Sequence, residues 1–152
     1  MCGMNVAFRP EVVPAFYFML MGRDYAFDRF GDIWAGVFVK KICDHLGFSI
    51  NSGDPPVDHQ RASNVWANLR KEAPGLEINE TLWSAIDLTR LTGATFGACY
   101  RQLADSLPRE GAAREYMTKL REAMIAWTRL FENVSVLPTA PDDDLTPSIG
   151  VA

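Results

Sequence analysis

The sequence predicts an α/β fold in which helices predominate, and three patterns along the chain lead to this prediction. Two short apolar segments have the composition of β-strands. A central stretch repeats apolar residues with helical spacing, and a later stretch contains two such stripes separated by a four-residue breaker. Because the chain has 152 residues, of which 48% are hydrophobic, we expect one domain with two strands, a central helix and a C-terminal helical hairpin.

The N-terminal elements are short. Residues 5–8 are rich in apolar side chains and precede a turn, which is typical of a strand. Pro10 suits the first position of a helix, and this helix is expected to run to Met21 because Gly22 follows. Residues 22–31 mix charged and aromatic side chains with glycine without a period, so they predict a loop.

The central helix is expected from Asp32 to Leu46. Trp34, Phe38 and Ile42 occur at four-residue intervals and form one apolar stripe. Gly47 supplies the residue that most readily takes the left-handed conformation at a helix end. Residues 48–50 then predict a second short strand.

The second half of the chain is predicted to be helical. Consecutive prolines in the segment 51–58 exclude a helix there. We expect one helix over 63–72 and a separate helix over 76–91, because Pro74 lies between them. Two further apolar stripes flank the breaker 108–111 and predict an antiparallel pair of helices, the second continuous over 112–131.

Composition and charge exclude several classes of protein. The net charge of -4 argues against a nucleic-acid-binding protein, because such proteins usually carry excess positive charge. The longest apolar run has ten residues and contains Pro14, whereas a membrane-spanning helix needs about 20. No basic segment precedes an apolar core at the N-terminus, so we expect a soluble, cytoplasmic protein without a secretory signal.

The cysteines predict no disulfide framework and no thiolate zinc site. There are three of them, an odd number, and no Cys-x-x-Cys pair occurs. Cys43 and Cys99 fall within apolar helical patterns, so we expect both to be small buried side chains and not nucleophiles.

Four separated stretches of the sequence resemble one protein family in register. They are MCGMNVAF (1–8), RFGDIWAG (29–36), KICDHLG (41–47) and HQRASN (59–64). The family is that of the reversibly glycosylated polypeptides, which includes the UDP-arabinopyranose mutases of plants. The resemblance extends over residues 1–133, and the Pro- and Asp-rich residues 134–152 are expected to form a disordered tail.

The resemblance implies a nucleotide-sugar transferase fold of the GT-A type. In the family, a metal-binding acidic motif and a self-glycosylated arginine belong to the N-terminal half. This chain is similar to the C-terminal half, with Met1 matching an internal methionine, so neither feature is assigned to a residue here. The acidic run 142–144 lies in the Pro-rich tail and is expected to be solvated instead of holding a metal.

Asp32 is the candidate catalytic residue. It matches the second carboxylate of a family motif that resembles Tyr-Asp-Asp-Met-Trp, and a carboxylate there could act as a base or accept a hydrogen bond from a sugar hydroxyl. Gly31 stands where the family has the first carboxylate, which is a departure from the pattern. An alternative interpretation is that Asp32 is the N-cap of the helix that contains Trp34.

His59 is the candidate metal ligand, since it matches the histidine of the family's His-x-x-Ala-Ser-Asn motif. A neutral imidazole there could complete a site for Mn²⁺ or Mg²⁺ or donate to a diphosphate oxygen. Arg61, Ser63 and Asn64 lie beside it at a predicted helix start, which suits an anion. The alternative is that Ser63 or Asn64 only caps the helix.

Two further candidates for substrate binding are weaker. Arg29 lies in the loop that borders the sugar pocket in the family, but this loop departs from the family in sequence. Trp34 could stack on a sugar face, although its position on the apolar stripe favours the core. His45 lies near a helix C-terminus, where the dipole favours a positive charge, and is expected to be structural.

Two hypotheses about function follow. In the first, the chain is part of an enzyme that handles a UDP-sugar with Mn²⁺ or Mg²⁺, and the sugar leaves UDP and returns through a different ring oxygen. In the second, the chain is a non-catalytic helical module that docks onto a homologue. In either case we expect the chain alone to be inactive and to associate with a complementary N-terminal half or with itself.

Overall fold

The apolar stripe that begins at Trp34 forms the central helix of the molecule. A computed structural model describes residues 5–54 and 64–132. A short 3₁₀-helix, Pro10–Ala15, is followed by four α-helices, which are α1 (Gly31–Leu46), α2 (Val65–Leu88), α3 (Phe96–Asp105) and α4 (Arg114–Arg129). Within these described ranges no residue lies in a β-strand, so the fold is helix-dominated.

The α1 helix confirms the prediction from the stripe of Trp34, Phe38 and Ile42, all of which are fully buried. The helix ends as expected, with Gly47 in the left-handed conformation at φ 76°. The amide of the next residue, Phe48, donates to the carbonyl of Cys43 at 2.8 Å, which closes the helix end. The helix begins at Gly31, one residue before the predicted start.

The α2 helix corrects the prediction of two separate helices. It runs from Val65 to Leu88 without interruption, although Pro74 lies inside it. Pro74 removes one backbone hydrogen bond, but the turn that follows is held by tertiary contacts. Gly75 packs so closely on Phe30 that an added Cβ would lie 2.5 Å from its ring. A local sequence pattern cannot predict this contact, because Gly75 and Phe30 are far apart in the sequence.

The C-terminal hairpin is confirmed, and α4 is one continuous helix. Arg121 of α4 donates to the carboxylate of Asp105 at the end of α3, at 2.6 Å. Arg101 in the middle of α3 donates to Glu132 beyond the end of α4, at 2.7 Å. The earlier position in α3 thus pairs with the later position along α4, as an antiparallel arrangement requires.

The predicted N-terminal elements are wrong in detail. The helix expected over 10–21 is only a 3₁₀-helix to Ala15, because Pro14 lacks an amide hydrogen and Met19 takes a positive φ of 64°. Residues 5–8 and 48–50 lie outside any strand. A strand needs a neighbouring strand to accept its backbone hydrogen bonds, and the described part of the chain offers none.

Two further predictions concern membranes and the tail. In the described ranges, we find no helix with the length and apolar character needed to cross a membrane. The expected disordered tail, 134–152, lies outside the described residues.

Candidate functional site

The start of α1 is fixed against the middle of α2. Arg29 precedes the helix and donates from Nε to Oε1 of Glu72 at 3.0 Å. Asp28 lies beside Lys71, with their charged atoms 3.8 Å apart. Exposed pairs of this kind each contribute about 0–1 kcal/mol, so their role here is to set the position of the loop.

The backbone at Arg29 is unusual for a residue with a side chain. Its φ is +68°, a left-handed conformation that costs a non-glycine residue roughly 1–2 kcal/mol. Such conformations persist where the surroundings enforce them, and they cluster at functional sites. The chain therefore enters α1 in a defined geometry, with the Arg29 side chain turned toward α2.

Asp32 lies in the first turn of α1 and is partly buried. The residue at the cap position is Phe30, which has no side-chain acceptor for the first amides of the helix. The interpretation of Asp32 as the N-cap is therefore wrong. A carboxylate in the first turn is stabilised by the helix dipole, and this position also holds the group rigidly.

Gly31 allows a close approach that a larger residue would prevent. A Cβ at this position would lie 2.5 Å from the backbone carbonyl oxygen of Phe18. No real contact is that short, so an aspartate at 31 would displace one of the two segments. Gly31, which stands where the family motif has its first carboxylate, thus allows the backbone at Phe18 to pack tightly against the start of α1.

Trp34 is completely buried in the core. Its ring lies against Phe27 and Phe30, with centroids 5.6 and 5.2 Å apart. Its indole nitrogen donates to Oδ1 of Asn79 at 2.9 Å. The ring faces are therefore covered by protein, and the packing role is the one that this geometry supports, in place of stacking on a sugar.

Asn64 is the N-cap of α2, because its Oδ1 accepts a hydrogen bond from the amide of Ala67 at 2.9 Å. It lies eight residues before Glu72, which corresponds to about 12 Å along the helix axis. The other residues predicted around it, His59, Arg61 and Ser63, lie outside the described residues.

A divalent cation does not fit the described residues by themselves. Mn²⁺ and Mg²⁺ prefer several oxygen or nitrogen ligands that converge on one point. In the ranges 5–54 and 64–132, no group of three His, Cys, Asp or Glu side chains is placed to do so. Ligands from elsewhere would be needed, and the candidate ligand His59 lies in the gap between these ranges.

Two cysteines and a histidine among the described residues have structural roles. Cys43 and Cys99 are buried, and burial raises the pKa of both thiols, which opposes the thiolate needed for nucleophilic attack. His45 lies with Nε2 2.9 Å from the carbonyl oxygen of Gly93, so this nitrogen carries the proton and joins the end of α1 to the loop before α3. Both predictions are confirmed.

A second feature, which the sequence patterns did not indicate, is a wide groove beside α1. We call it the α1 groove. Its cavity volume is about 1830 Å³, and its walls are residues 5–9, residues 48–54, the exposed side of α1 around Val37, and the end of α2 around Trp83. Asp32 is not among the groove's walls, so the groove and the start of α1 are separate features.

Glu72 and Asn79 are the site-forming residues that sequence reasoning missed. Both lie on α2 and contact residues 43 and 45 positions earlier in the chain. No local pattern marks such partners. The only available signal was the presence of polar residues on a helix whose apolar stripe is weak.

Comparison with known proteins gives one consistent result. A sequence model of the family described as "Reversibly glycosylated polypeptide" matches residues 1–136. "Probable UDP-arabinopyranose mutase 4" of Arabidopsis thaliana is 39% identical over 140 residues, which cover 89% of this chain and 38% of the relative. "Probable UDP-arabinopyranose mutase 1" of Solanum tuberosum is 37% identical over 153 residues, covering 98% and 42%.

A third relative agrees with these two. "UDP-arabinopyranose mutase 1" of Arabidopsis thaliana is 37% identical over 139 residues, covering 89% of this chain and 39% of the relative. The chain thus spans about two fifths of the length of the relatives that it matches. No solved structure gives a significant match.

Proposed function

Because this chain belongs to the reversibly glycosylated polypeptide family, we propose that it forms part of a UDP-sugar mutase or a closely related UDP-sugar transferase. The observation that carries the proposal is the family match over residues 1–136, which includes the rigid start of α1. The relatives' names give UDP-arabinopyranose as the substrate. The proposed reaction is the exchange of the pyranose and furanose rings of a UDP-pentose.

In this proposal, Asp32 contacts the sugar. Its carboxylate would accept a hydrogen bond or a proton from a sugar hydroxyl. Such a role requires a fixed position, and two contacts support the helix start: Arg29 with Glu72, and Trp34 with Asn79. Both partners lie on α2, so the two helices together hold the first turn of α1.

Positive charge for the diphosphate is proposed to come from Arg61, and Arg29 is a further candidate for substrate binding. Arginine suits phosphate because its planar group donates two parallel hydrogen bonds. Ser63 and Asn64 would supply further donors at the start of α2. The expected Mn²⁺ or Mg²⁺, with His59 as one ligand, would need carboxylates beyond the described residues, so we assign no step of the reaction to it.

The GT-A-like α/β architecture is also part of the proposal. In this account the helices described above pack on a sheet to which another portion of the polypeptide contributes. A non-catalytic docking module is the second candidate function, and the open α1 groove favours it. The two candidates differ in whether the assembled protein converts a UDP-sugar.

Turnover of UDP-arabinopyranose tests the proposal. The chain is co-expressed with the part of the Solanum tuberosum relative that it does not match, and product formation is followed with and without added Mn²⁺. We expect turnover by the pair and none by the chain alone. Asp32→Asn should abolish most of the activity, whereas Glu122→Gln, which changes an exposed carboxylate on α4, should preserve it.

The outcome separates the two candidates. A pair that assembles and converts the substrate supports the enzyme. A pair that assembles but shows no turnover under any condition contradicts it and favours the docking module.

A further inference from the structure

We propose that the α1 groove is an interface for the part of a reversibly glycosylated polypeptide that this chain does not match, and that residues 5–8 and 48–50 pair with it as strands. The inference rests on family membership and on the groove itself, not on the UDP-sugar chemistry proposed above. Its occupant is a folded polypeptide portion and not a small molecule.

The size of the groove favours a polypeptide. Pockets for small ligands have volumes of about 300–1,000 Å³ and bury most of the ligand surface. The groove has about 1830 Å³. A nucleotide sugar would leave most of this space unfilled, whereas a strand or helix face from another polypeptide would cover it.

The groove walls carry large apolar side chains that are exposed to solvent. Single exposed apolar residues are ordinary, but a contiguous set along one groove is typical of an interaction surface. The exposed apolar residues come from all four walls, and they are Val6, Phe8, Ile33, Ile50 and Trp83. Ile50 is 55% exposed and Trp83 is 42% exposed.

The charged residues beside these apolar groups already have partners. Lys40 pairs with Asp44 on α1. Lys41 donates to the backbone carbonyl of Asp87 on α2 at 2.6 Å. Because these two lysines bind groups of the groove walls themselves, they do not favour a strongly acidic partner. An apolar core with a neutralised polar border is the composition expected of a protein–protein interface.

Two walls of the groove make almost no backbone hydrogen bonds with other described residues. Within the described residues, the only backbone hydrogen bond between main-chain groups that involves 48–54 is the one from the Phe48 amide to Cys43, and residues 5–8 make none. The two segments are neighbours, since the Arg9 guanidinium lies 5.9 Å from the centre of the Phe48 ring. Their sequences also favour strands. An added strand would satisfy these groups in the way that peptides extend the edge of a sheet.

The relatives indicate which polypeptide supplies that strand. The stretch that this chain matches is only 38–42% of each of the first relatives, so in these relatives the matched stretch is joined to a larger unmatched portion. In those relatives both portions belong to one chain. The unmatched portion is therefore always present with the apolar groove in these relatives. This favours the unmatched portion, and not a second copy of this chain, as the occupant of the groove.

Binding measurements with two tryptophan variants test the proposal. The unmatched part of the Solanum tuberosum relative is co-expressed with the chain, and the complex is quantified by pull-down and light scattering. Trp83→Arg should weaken binding at least about tenfold, because a central buried tryptophan dominates interfaces of this kind. Trp66→Arg is the matched control: this tryptophan also lies on α2 and is 70% exposed, but it does not line the groove.

Amide exchange in the complex tests the strand pairing. Because alternate amides of an edge strand point toward the partner, slow exchange should appear at every second amide of 5–8 or 48–54. Absence of binding, equal losses with the two tryptophan variants, or no protection in either segment would each overturn the proposal. So would a homodimer that Trp83→Arg dissociates, which would identify a second copy as the occupant. Binding without turnover would refute the proposed function and leave this interface intact.

Discussion

The indole nitrogen of Trp34 lies 2.9 Å from the side-chain oxygen of Asn79, and this hydrogen bond joins the first turn of α1 to the middle of α2. The tryptophan is fully buried, so its donor has no access to water. A buried donor that loses its acceptor costs about 1–3 kcal/mol. The pair therefore contributes to stability and fixes the position of Asp32, which lies two residues before Trp34.

Asn79→Ala should lower the free energy of unfolding by about 1–3 kcal/mol, because the indole N–H remains buried without a partner. Urea denaturation measures the difference. Asn68→Ala, on the same helix, is the control and should change stability by less than about 0.5 kcal/mol. Equal effects of the two substitutions would show that the hydrogen bond between Trp34 and Asn79 does not contribute to the free energy of unfolding.

Gly31→Ala should destabilise the protein by about 1–3 kcal/mol, since the new Cβ would meet the Phe18 carbonyl oxygen at 2.5 Å. Gly97→Ala, within α3, has only an ordinary contact of 3.5 Å to Pro14 and should stabilise by up to about 1 kcal/mol through helix propensity. Thermal or urea denaturation distinguishes the opposite signs. A stabilising effect at 31 would contradict the close packing described here.

Two buried tyrosines should make stability fall at alkaline pH. Burial raises the pKa of Tyr100 and Tyr116, so in the pH range above about 10 the unfolded chain loses these protons before the folded one does. The stability that they contribute is complete below the unfolded pKa and decreases as pH rises through the folded values. Urea denaturation at a series of pH values measures this slope.

The matching substitutions are Tyr100→Phe and Tyr116→Phe. Neither hydroxyl has a hydrogen-bond partner in the described part of the chain, so removing it should leave stability at pH 7 unchanged or slightly higher. Each variant should also lose less stability than the parent above pH 10. A variant with an unaltered alkaline slope would show that the other groups of the protein cause it.

The chain alone should not bind UDP with micromolar affinity. The described residues provide no cluster of metal ligands, and the proposed anion-binding groups require a partner to complete the pocket. Calorimetric titration with UDP and Mn²⁺, together with light scattering, measures affinity and association state. Micromolar binding by a monomer would make the chain a self-sufficient nucleotide-sugar protein and contradict this account.

The features that the sequence predicts well are those with a local physical cause. The α1 helix follows from an apolar stripe and from Gly47 at its end, and the α3–α4 hairpin follows from two stripes around a breaker. In each case the residues that determine the element lie within it. The buried state of Cys43 and Cys99 follows from the same stripes.

The features that it predicts poorly depend on distant contacts. The continuity of α2 through Pro74 relies on packing between Gly75 and Phe30, which are 45 positions apart. The strands predicted at 5–8 and 48–50 could not form without a partner, however favourable their composition. Of the candidate site, the rigid helix start at Asp32 was predictable from a motif, but its supports Glu72 and Asn79 were not.

Turnover by an Asp32→Asn variant tests the central claim most directly. The assay uses a chimera of the Solanum tuberosum relative in which the matched stretch is replaced by this chain, and kcat and UDP affinity are measured separately. Loss of a group that transfers a proton or stabilises the reacting sugar should lower kcat about 100-fold or more, while UDP affinity changes less than about twofold. An active chimera in which Asp32→Asn leaves kcat unchanged, or lowers kcat and UDP affinity equally, would contradict the proposed role of Asp32.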